Sequence, residues 1–244
     1  MNRALNPTME IGGLQKLTLI DYPGRLAATV FLIGCNFRCP FCYSAELVLP
    51  DKAQEQPRVP EKEFFEFLEN RKGLLEGVVV CGGEPTLNAG LPVFIKKIKE
   101  LGFLVKLDTN GSNPGMLKGL IDKELIDYAA MDSKAPIERY GEVVGLSNSW
   151  NREMSENIKK SVNLLKEGKI DYEFRTTVVP ELLEKKDILK IADWIKPAQK
   201  YFLQEFRAEK TIDPKFEKVK AYPKEYLLDI QKEIASFFDV CKVR

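Results

Sequence analysis

The sequence predicts an α/β chain with a parallel sheet covered by helices, reacting at the carboxyl ends of its strands. Three observations point there. Short apolar runs alternate with amphipathic helical stretches, six times in strict order. The runs are almost continuously apolar, as strands are when both faces of a parallel sheet are covered. A cluster of polar residues follows each run, and loops at the carboxyl ends of barrel strands converge on one mouth. Right-handed crossovers would curl such units into an open sheet or a barrel, and the polar clusters favour the barrel.

The elements follow in order. Leu26 to Ile33 is the first strand, dense in small and branched residues, and three cysteines come directly after it. Glu61 to Asn70 reads as a helix with Phe64, Phe65, Phe67 and Leu68 inward. Gly77 to Cys81 is a short buried strand, followed by Gly82-Gly83-Glu84-Pro85-Thr86. Phe94, Ile98 and Leu101 lie at helical spacing, and Gly102 stops that helix. Phe103 to Asp108 is the third strand and runs into Thr109-Asn110-Gly111. A weaker helix spans about 114–123. Ile126 to Asp132 is the fourth strand, with Lys134 just beyond. Ile158, Val162 and Leu165 mark a helix closed by Gly168. Ile170 to Val179 is the fifth strand and contains Arg175. Ile188, Ile191 and Ile195 mark a helix stopped by Pro197. Lys200 to Phe206 is the sixth strand, with Gln204 and Glu205 at its end. Leu227, Ile230, Ile234 and Phe237 give the last helix, and the charged run 207–220 before it reads as a solvated connection.

Composition narrows the function. At 244 residues, 44% apolar and 30% charged, the chain can bury a large core and remain soluble. A net charge of +1 argues against a polyanion-binding surface, so no nucleic-acid partner is expected. Met1 to Gly13 lacks the apolar stretch of a leader, and no apolar run approaches the roughly 20 residues of a membrane span. The expected setting is a reduced cytoplasm, away from membranes. No low-complexity segment divides the chain, so a single domain over 1–244 is expected, with its core at about 17–206 and a connection and helix over 207–244.

The strongest chemical signal is Cys35-Asn-Phe-Arg-Cys39-Pro-Phe-Cys42. Three thiols in eight residues are ligands far more often than packing groups. An electron-relaying iron–sulfur cube takes four cysteines; three leave one iron open to a small molecule. A zinc site would need a fourth Cys or His, and the chain has no histidine. A disulfide framework is disfavoured by the odd number of five cysteines. Cys81 reads as a small buried hydrophobe at a strand end, and Cys241 as an incidental residue of a C-terminal tail.

Cys-x3-Cys-x2-Cys after one strand and Gly-Gly-Glu-Pro after the next resemble the radical S-adenosylmethionine (SAM) superfamily. Ile20-Asp21-Tyr22-Pro23-Gly24, Asp108-Thr109-Asn110-Gly111 and Met131-Asp132-Ser133-Lys134 resemble, more narrowly, the activating enzymes of glycyl-radical proteins. Phe202-Leu203-Gln204-Glu205-Phe206 with Thr211-Ile212-Asp213-Pro214 is most similar to the activase type of anaerobic ribonucleoside-triphosphate reductase. The resemblance implies a partial (β/α)6 TIM-type barrel, open on one side. It implies a [4Fe–4S] cluster on Cys35, Cys39 and Cys42, with SAM chelating the open iron. Reductive cleavage of SAM would give a 5′-deoxyadenosyl radical that takes hydrogen from a glycine of a partner enzyme. A low-potential reductant such as flavodoxin or ferredoxin would supply the electron. Hydrogen abstraction at carbon needs no base, which suits a chain without histidine.

Each further role has a structural alternative. Phe41 matches the position that packs near the adenine, or it plugs the barrel mouth. Gly82 and Gly83 would let backbone approach SAM and, with Glu84, meet its amino group; otherwise they form a tight strand-to-helix turn. Asp108 would meet the ribose or, with Thr109 and the Met131–Asp132 strand end, line a monovalent-cation site. Alternatively Asp108 to Gly111, Asn110 included, cap a turn. Lys134 and Arg175 would pair with the SAM carboxylate, or form ion pairs with Asp108, Asp132 or Glu173. Two departures stand out: Tyr43-Ser44 where many activases carry His-Asn, and Gln204 where some carry a histidine near the ribose. Two other functions compete with the activase. One is a small-molecule radical SAM enzyme such as a 7-carboxy-7-deazaguanine synthase. The other is an electron-transfer or scaffold protein, which would need a fourth ligand.

Overall fold

The computed structural model describes residues 8–244. Residues 1–7, part of the stretch expected to carry no leader, lie outside the described residues. The chain forms two compact units. The first comprises the described part of Met1–Asn36 together with Glu46–Thr109 and Gly115–Ala129. The second comprises Phe37–Ala45, Asn110–Pro114 and Ala130–Arg244. The cysteine loop is thus divided, with Cys35 in the first unit and Cys39 and Cys42 in the second.

In the first unit β1 (Ile11–Thr18) pairs antiparallel with β2 (Ala27–Leu32). The short helices α1 (Ala45–Val48) and α2 (Pro50–Glu55) and the longer α3 (Glu61–Glu69) lead to β3 (Gly77–Gly82), which lies parallel to β2. Then α4 (Leu91–Glu100) leads to β4 (Leu104–Thr109), parallel to β3, and α5 (Pro114–Asp122) follows. Val78, Val79 and Val80 of β3 are buried, as expected of a strand inside a parallel sheet. On α3 only Phe64 and Leu68, one turn apart, are fully buried; Phe65 and Phe67 flank that face. Phe67 instead carries the Arg71 guanidinium, 5.5 Å from its ring centre. Helices α3 and α4 meet through Phe64 stacked on Phe94, ring centres 5.2 Å apart. Tyr22 of the Asp-Tyr-Pro-Gly turn packs with Ala27, Val79 and Tyr128, and Gly77 leaves room for its ring. Asp21 accepts a hydrogen bond of 2.9 Å from the Thr29 hydroxyl, which ties the same turn to β2.

Strand β5 (Tyr128–Asp132) begins in the first unit and ends in the second. The second unit continues with α6 (Tyr140–Val143), α7 (Arg152–Lys166), β6 (Asp171–Val178), α8 (Lys185–Ile195), β7 (Ala198–Glu205), α9 (Lys224–Ile234) and β8 (Phe238–Val243). Strands β6, β7 and β8 are parallel neighbours in that order. Asn151 caps α7 by accepting from the Met154 N–H at 3.0 Å, and Glu184 with Asp187 forms a reciprocal capping box on α8.

The α/β class with mostly parallel strands is as expected, and all six expected strands are present. Two further strands were not legible. Gly12 and Gly13 interrupt the apolar pattern of β1. β8 shows no regular alternation of buried and exposed positions, and it follows α9 without a break, because a 3-10 turn over Ala235–Phe237 carries the helical stretch on from Ile234 to Phe237. Cys241 is therefore a buried residue of β8, paired with Tyr201, and burial pushes its thiol up to about 11. The run 207–220 is not wholly solvated either: Thr211, Phe216 and Val219 are buried. No helix among the described residues is long and apolar enough to cross a membrane.

Phe94→Ala removes a buried ring that joins α3 to α4, and should cost about 3–5 kcal/mol in equilibrium urea unfolding.

Candidate functional site

In the first unit the site begins where β2 and β3 end side by side. Gly82 has φ of 118°, and a Cβ there would strike the backbone of Leu32. A Cβ on Gly83 would strike the carbonyl of Gly34 and come within 3.2 Å of the Cys35 nitrogen. The Gly83 N–H donates to the Leu32 carbonyl at 2.8 Å, and the Glu84 N–H to the Gly34 carbonyl at 2.7 Å. The close approach these glycines allow is thus to the protein's own backbone, at the residues that lead into the first cysteine.

Glu84 is fully buried. Its Oε1 accepts from the Thr86 N–H at 3.1 Å, from the Thr86 hydroxyl, and from the Thr109 hydroxyl at 2.8 Å. One carboxylate oxygen therefore ties the Gly-Gly-Glu-Pro turn to the end of β4. Asp108, one residue earlier, is ion-paired with Lys106, which is itself only 1% exposed. Lys106 carries no sequence signal; it sits in a strand whose neighbours are aliphatic.

In the second unit the Cys42 N–H donates to the Cys39 carbonyl at 3.0 Å, closing a turn that carries both thiols. Phe37 anchors this loop. It lies 6.3 Å from the Tyr140 ring and 6.0 Å from Trp150, and Tyr140 stacks on Trp150 at 5.2 Å. Gly141 makes room for Trp150, since a Cβ there would strike it. The Arg38 N–H donates to the Val144 carbonyl at 2.9 Å. The Tyr140 hydroxyl donates to the Asp132 carbonyl at 3.2 Å and accepts from the Lys134 N–H at 3.3 Å. One aromatic cluster therefore holds both the cysteine loop and the end of β5.

Asp132 accepts from Arg175 at 2.9 Å and from Lys134 at 3.2 Å. Burial opposes its ionisation, but the charges of Arg175 and Lys134 prevail and lower its pKa to about 2. Burial likewise opposes the charge on Lys134, and Asp132, with smaller contributions from Cys39, Tyr140 and Cys42, raises its pKa well above the usual lysine value. The Lys134 ammonium also stands 6.0 Å from the centre of the buried Phe41 ring.

The second unit thus gathers Cys39, Phe41, Cys42, Asp132, Lys134 and Arg175. The first gathers Cys35, Gly82, Gly83, Glu84 and Thr109, with Asp108 on the same strand end. Asn110 accepts from the Ser112 N–H at 2.9 Å, the side-chain turn foreseen as its alternative role. Gln204 lies in β7 opposite Thr177 and is partly exposed. Cys81 is only partly buried and packs beside the Tyr22 cluster. Phe37, Tyr140, Trp150 and Lys106 were not singled out from the sequence. An aromatic residue between two candidate ligands was the one available sign for Phe37.

None of the five cysteines is in a disulfide. Among the described residues no three Cys, Asp or Glu side chains form a group that could hold a metal ion. A cube asks for something else, because each thiolate binds a separate iron. Three thiols within eight residues of the sequence, two of them on the anchored second-unit turn beside Lys134, are the donor type a cube takes.

The comparisons with known proteins agree with this chemistry. A model of the Radical SAM superfamily matches residues 29–195. A protein of Methanocaldococcus jannaschii, provisionally named a glycyl-radical enzyme activating enzyme, is 32% identical over 96% of this chain and 95% of its own. A 7-carboxy-7-deazaguanine synthase of Thermococcus kodakarensis is 30% identical over 46% of this chain and 50% of its own. In fold the chain resembles Streptococcus suis SuiB bound to S-adenosylmethionine, with a TM-score of 0.64 at 14% identity over 86% of this chain. The chain spans about half the length of that structure, 48%.

Gly83→Ala should force the Gly34–Cys35 backbone away from β3. The expected result is a loss of stability above 1 kcal/mol and a several-fold fall in iron retained after anaerobic reconstitution, measured by urea unfolding and iron assay. A carboxyl held at about 2 instead of 3.8 contributes on the order of 2 kcal/mol. That contribution is complete above pH 4 and is lost as pH falls through 2. Asp132→Asn should therefore destabilise the protein by roughly that amount at pH 7. The gap to wild type should narrow as denaturation curves are taken from pH 4 towards pH 2.

Proposed function

We propose that this chain, which belongs to the radical SAM superfamily, installs a glycyl radical in a partner enzyme. The observation that carries the reading is the likeness, at 32% identity over nearly the full length of both chains, to a protein provisionally named an activating enzyme. The deazaguanine synthase likeness covers only about half of each chain and makes the second reading weaker.

Cys35, Cys39 and Cys42 would hold a [4Fe–4S] cluster with one iron open to SAM. When bound, the reduced cluster would supply one electron to the SAM sulfonium, so that a 5′-deoxyadenosyl radical can take a hydrogen atom from a glycine Cα. The chain's own residues bind and orient. The Gly82–Gly83 backbone and Glu84 receive the amino group of SAM. Arg175 and Lys134, held in place by Asp132, offer two cations to its carboxylate. Phe41 faces the adenine, and Gln204 the ribose. Asp108, with Thr109 beside it, takes a ribose hydroxyl or a monovalent cation, and Asn110 shapes the turn that follows. No residue is asked to move a proton, consistent with a chain that has no histidine.

The partner that best fits the Thr211-Ile212-Asp213-Pro214 and Phe202-to-Phe206 motifs is an anaerobic ribonucleotide reductase. A flavodoxin or ferredoxin would be the reductant, in the cytoplasm. The test is anaerobic reconstitution, reduction, addition of SAM, and measurement of 5′-deoxyadenosine with and without the reductase. Nucleoside formation with a glycyl signal by electron paramagnetic resonance on the reductase is the expected result. Cleavage with no radical on any glycyl-radical partner would favour the small-molecule reading. Replacing any one of Cys35, Cys39 or Cys42 with Ala should abolish cleavage, and full cleavage by such a variant would remove the cluster assignment.

A further inference from the structure

The segment after β7 is bonded to the cysteine loop. The Ile212 N–H donates to the Cys42 carbonyl at 3.1 Å, and the Asp213 N–H to the Pro40 carbonyl at 2.9 Å. The Arg207 N–H donates to the Tyr43 hydroxyl at 2.8 Å, and the Tyr43 ring stacks on Phe206 at 6.2 Å. These contacts fall on both sides of Cys42 and join residues about 160 or more positions apart, as between Arg207 and Tyr43, 164 apart.

The segment is braced from behind. The buried Thr211 donates its N–H to Glu217 at 3.2 Å and its hydroxyl to the Asp213 carbonyl at 2.7 Å. Asp213 in turn caps the short turn Pro214–Lys218 through the Lys215 N–H at 3.0 Å. Phe216 is buried edge-on to Phe206, ring centres 6.5 Å apart. A connection that only joined β7 to α9 would need none of these bonds. Two main-chain carbonyls of a ligand loop would otherwise be left to water or to a different loop conformation.

We propose that residues 206–213 are a positioning strap for the cluster-binding loop. The strap holds the main chain around Cys42 in its ligand-presenting form, with Tyr43 of the loop and Thr211 of the strap as the positioning side chains. The inference rests on the reading of Cys39 and Cys42 as cluster ligands. Because coupling is reciprocal, a strap that favours cluster binding must itself be stabilised by the bound cluster.

The test compares wild type with Tyr43→Phe, which keeps the stacked ring and removes the acceptor, and with Thr211→Val, which keeps the volume and removes the hydroxyl. After anaerobic reconstitution, iron and sulfide per chain and the rate of iron release to a chelator are measured, together with melting of the metal-free proteins. Tryptic cleavage after the exposed Lys210 is followed in wild type with and without cluster. The expected result is release about fivefold faster in each variant, the size of one lost hydrogen bond, and cleavage several-fold slower in the loaded wild type. If wild type loads normally but release is unchanged in both variants and loading gives no protection, the strap is overturned and the ligand assignment stands. Lower melting with unchanged release also overturns it, as a merely structural contact. Should either variant fail to fold, protection in wild type decides alone. A wild type that holds no cluster overturns the ligand assignment and the strap together.

Discussion

Everything at this site depends on how closely two strand ends approach. Backbone meets backbone where Gly82 and Gly83 pass Leu32 and Gly34, at a separation no side chain allows. Two hydrogen bonds across that contact set the path of the chain into Cys35. A Gly-Gly pair beside a thiolate loop invites the reading that the glycines make space for a ligand. Here they first make space for the loop that carries the thiol. The two roles are compatible, because a backbone pressed against another on one side can still present peptide groups on the other.

The charged residues are arranged by the same economy of contacts. Glu84 is buried and gathers three donors on one oxygen, joining the turn after β3 to the end of β4. Asp132 gathers Arg175 and Lys134 on its two oxygens. A buried carboxylate without such partners would be costly; with them it fixes the side chains and main chain around it. The two cations are thereby oriented and partly compensated by Asp132.

Aromatic packing sets the remaining geometry. Phe37 is the hydrophobic foot of the cysteine loop, and Tyr140 stands between it and the end of β5 with its hydroxyl bonded to main chain on both sides of Ser133. A second aromatic pair, Tyr43 on Phe206, lies on the far side of Cys42. The loop that would bind metal is thus held by packing before any metal arrives, which lowers the ordering cost that binding must meet.

How much of this was legible depends on distance along the chain. The spacing of Cys35, Cys39 and Cys42, the apolar runs and the helical periodicities are local, and they sufficed for the α/β class, six strands and the thiol loop. β1 was hidden by two glycines, and β8 by its position directly after a helix. The sequence by itself determined which residue types stand together within ten positions, hence the donor set and the absence of any imidazole base. Only the tertiary structure decided that Gly83 faces Gly34, that Phe37 meets Tyr140 and Trp150, that Asp132 draws Lys134 and Arg175 together, and that Ile212 bonds to Cys42. Those contacts join residues from 2 to 170 positions apart, as with Lys134 and Asp132 at one extreme and Ile212 and Cys42 at the other. No local periodicity encodes such a choice, because it is made by packing and by the need of buried backbone and buried charge for partners.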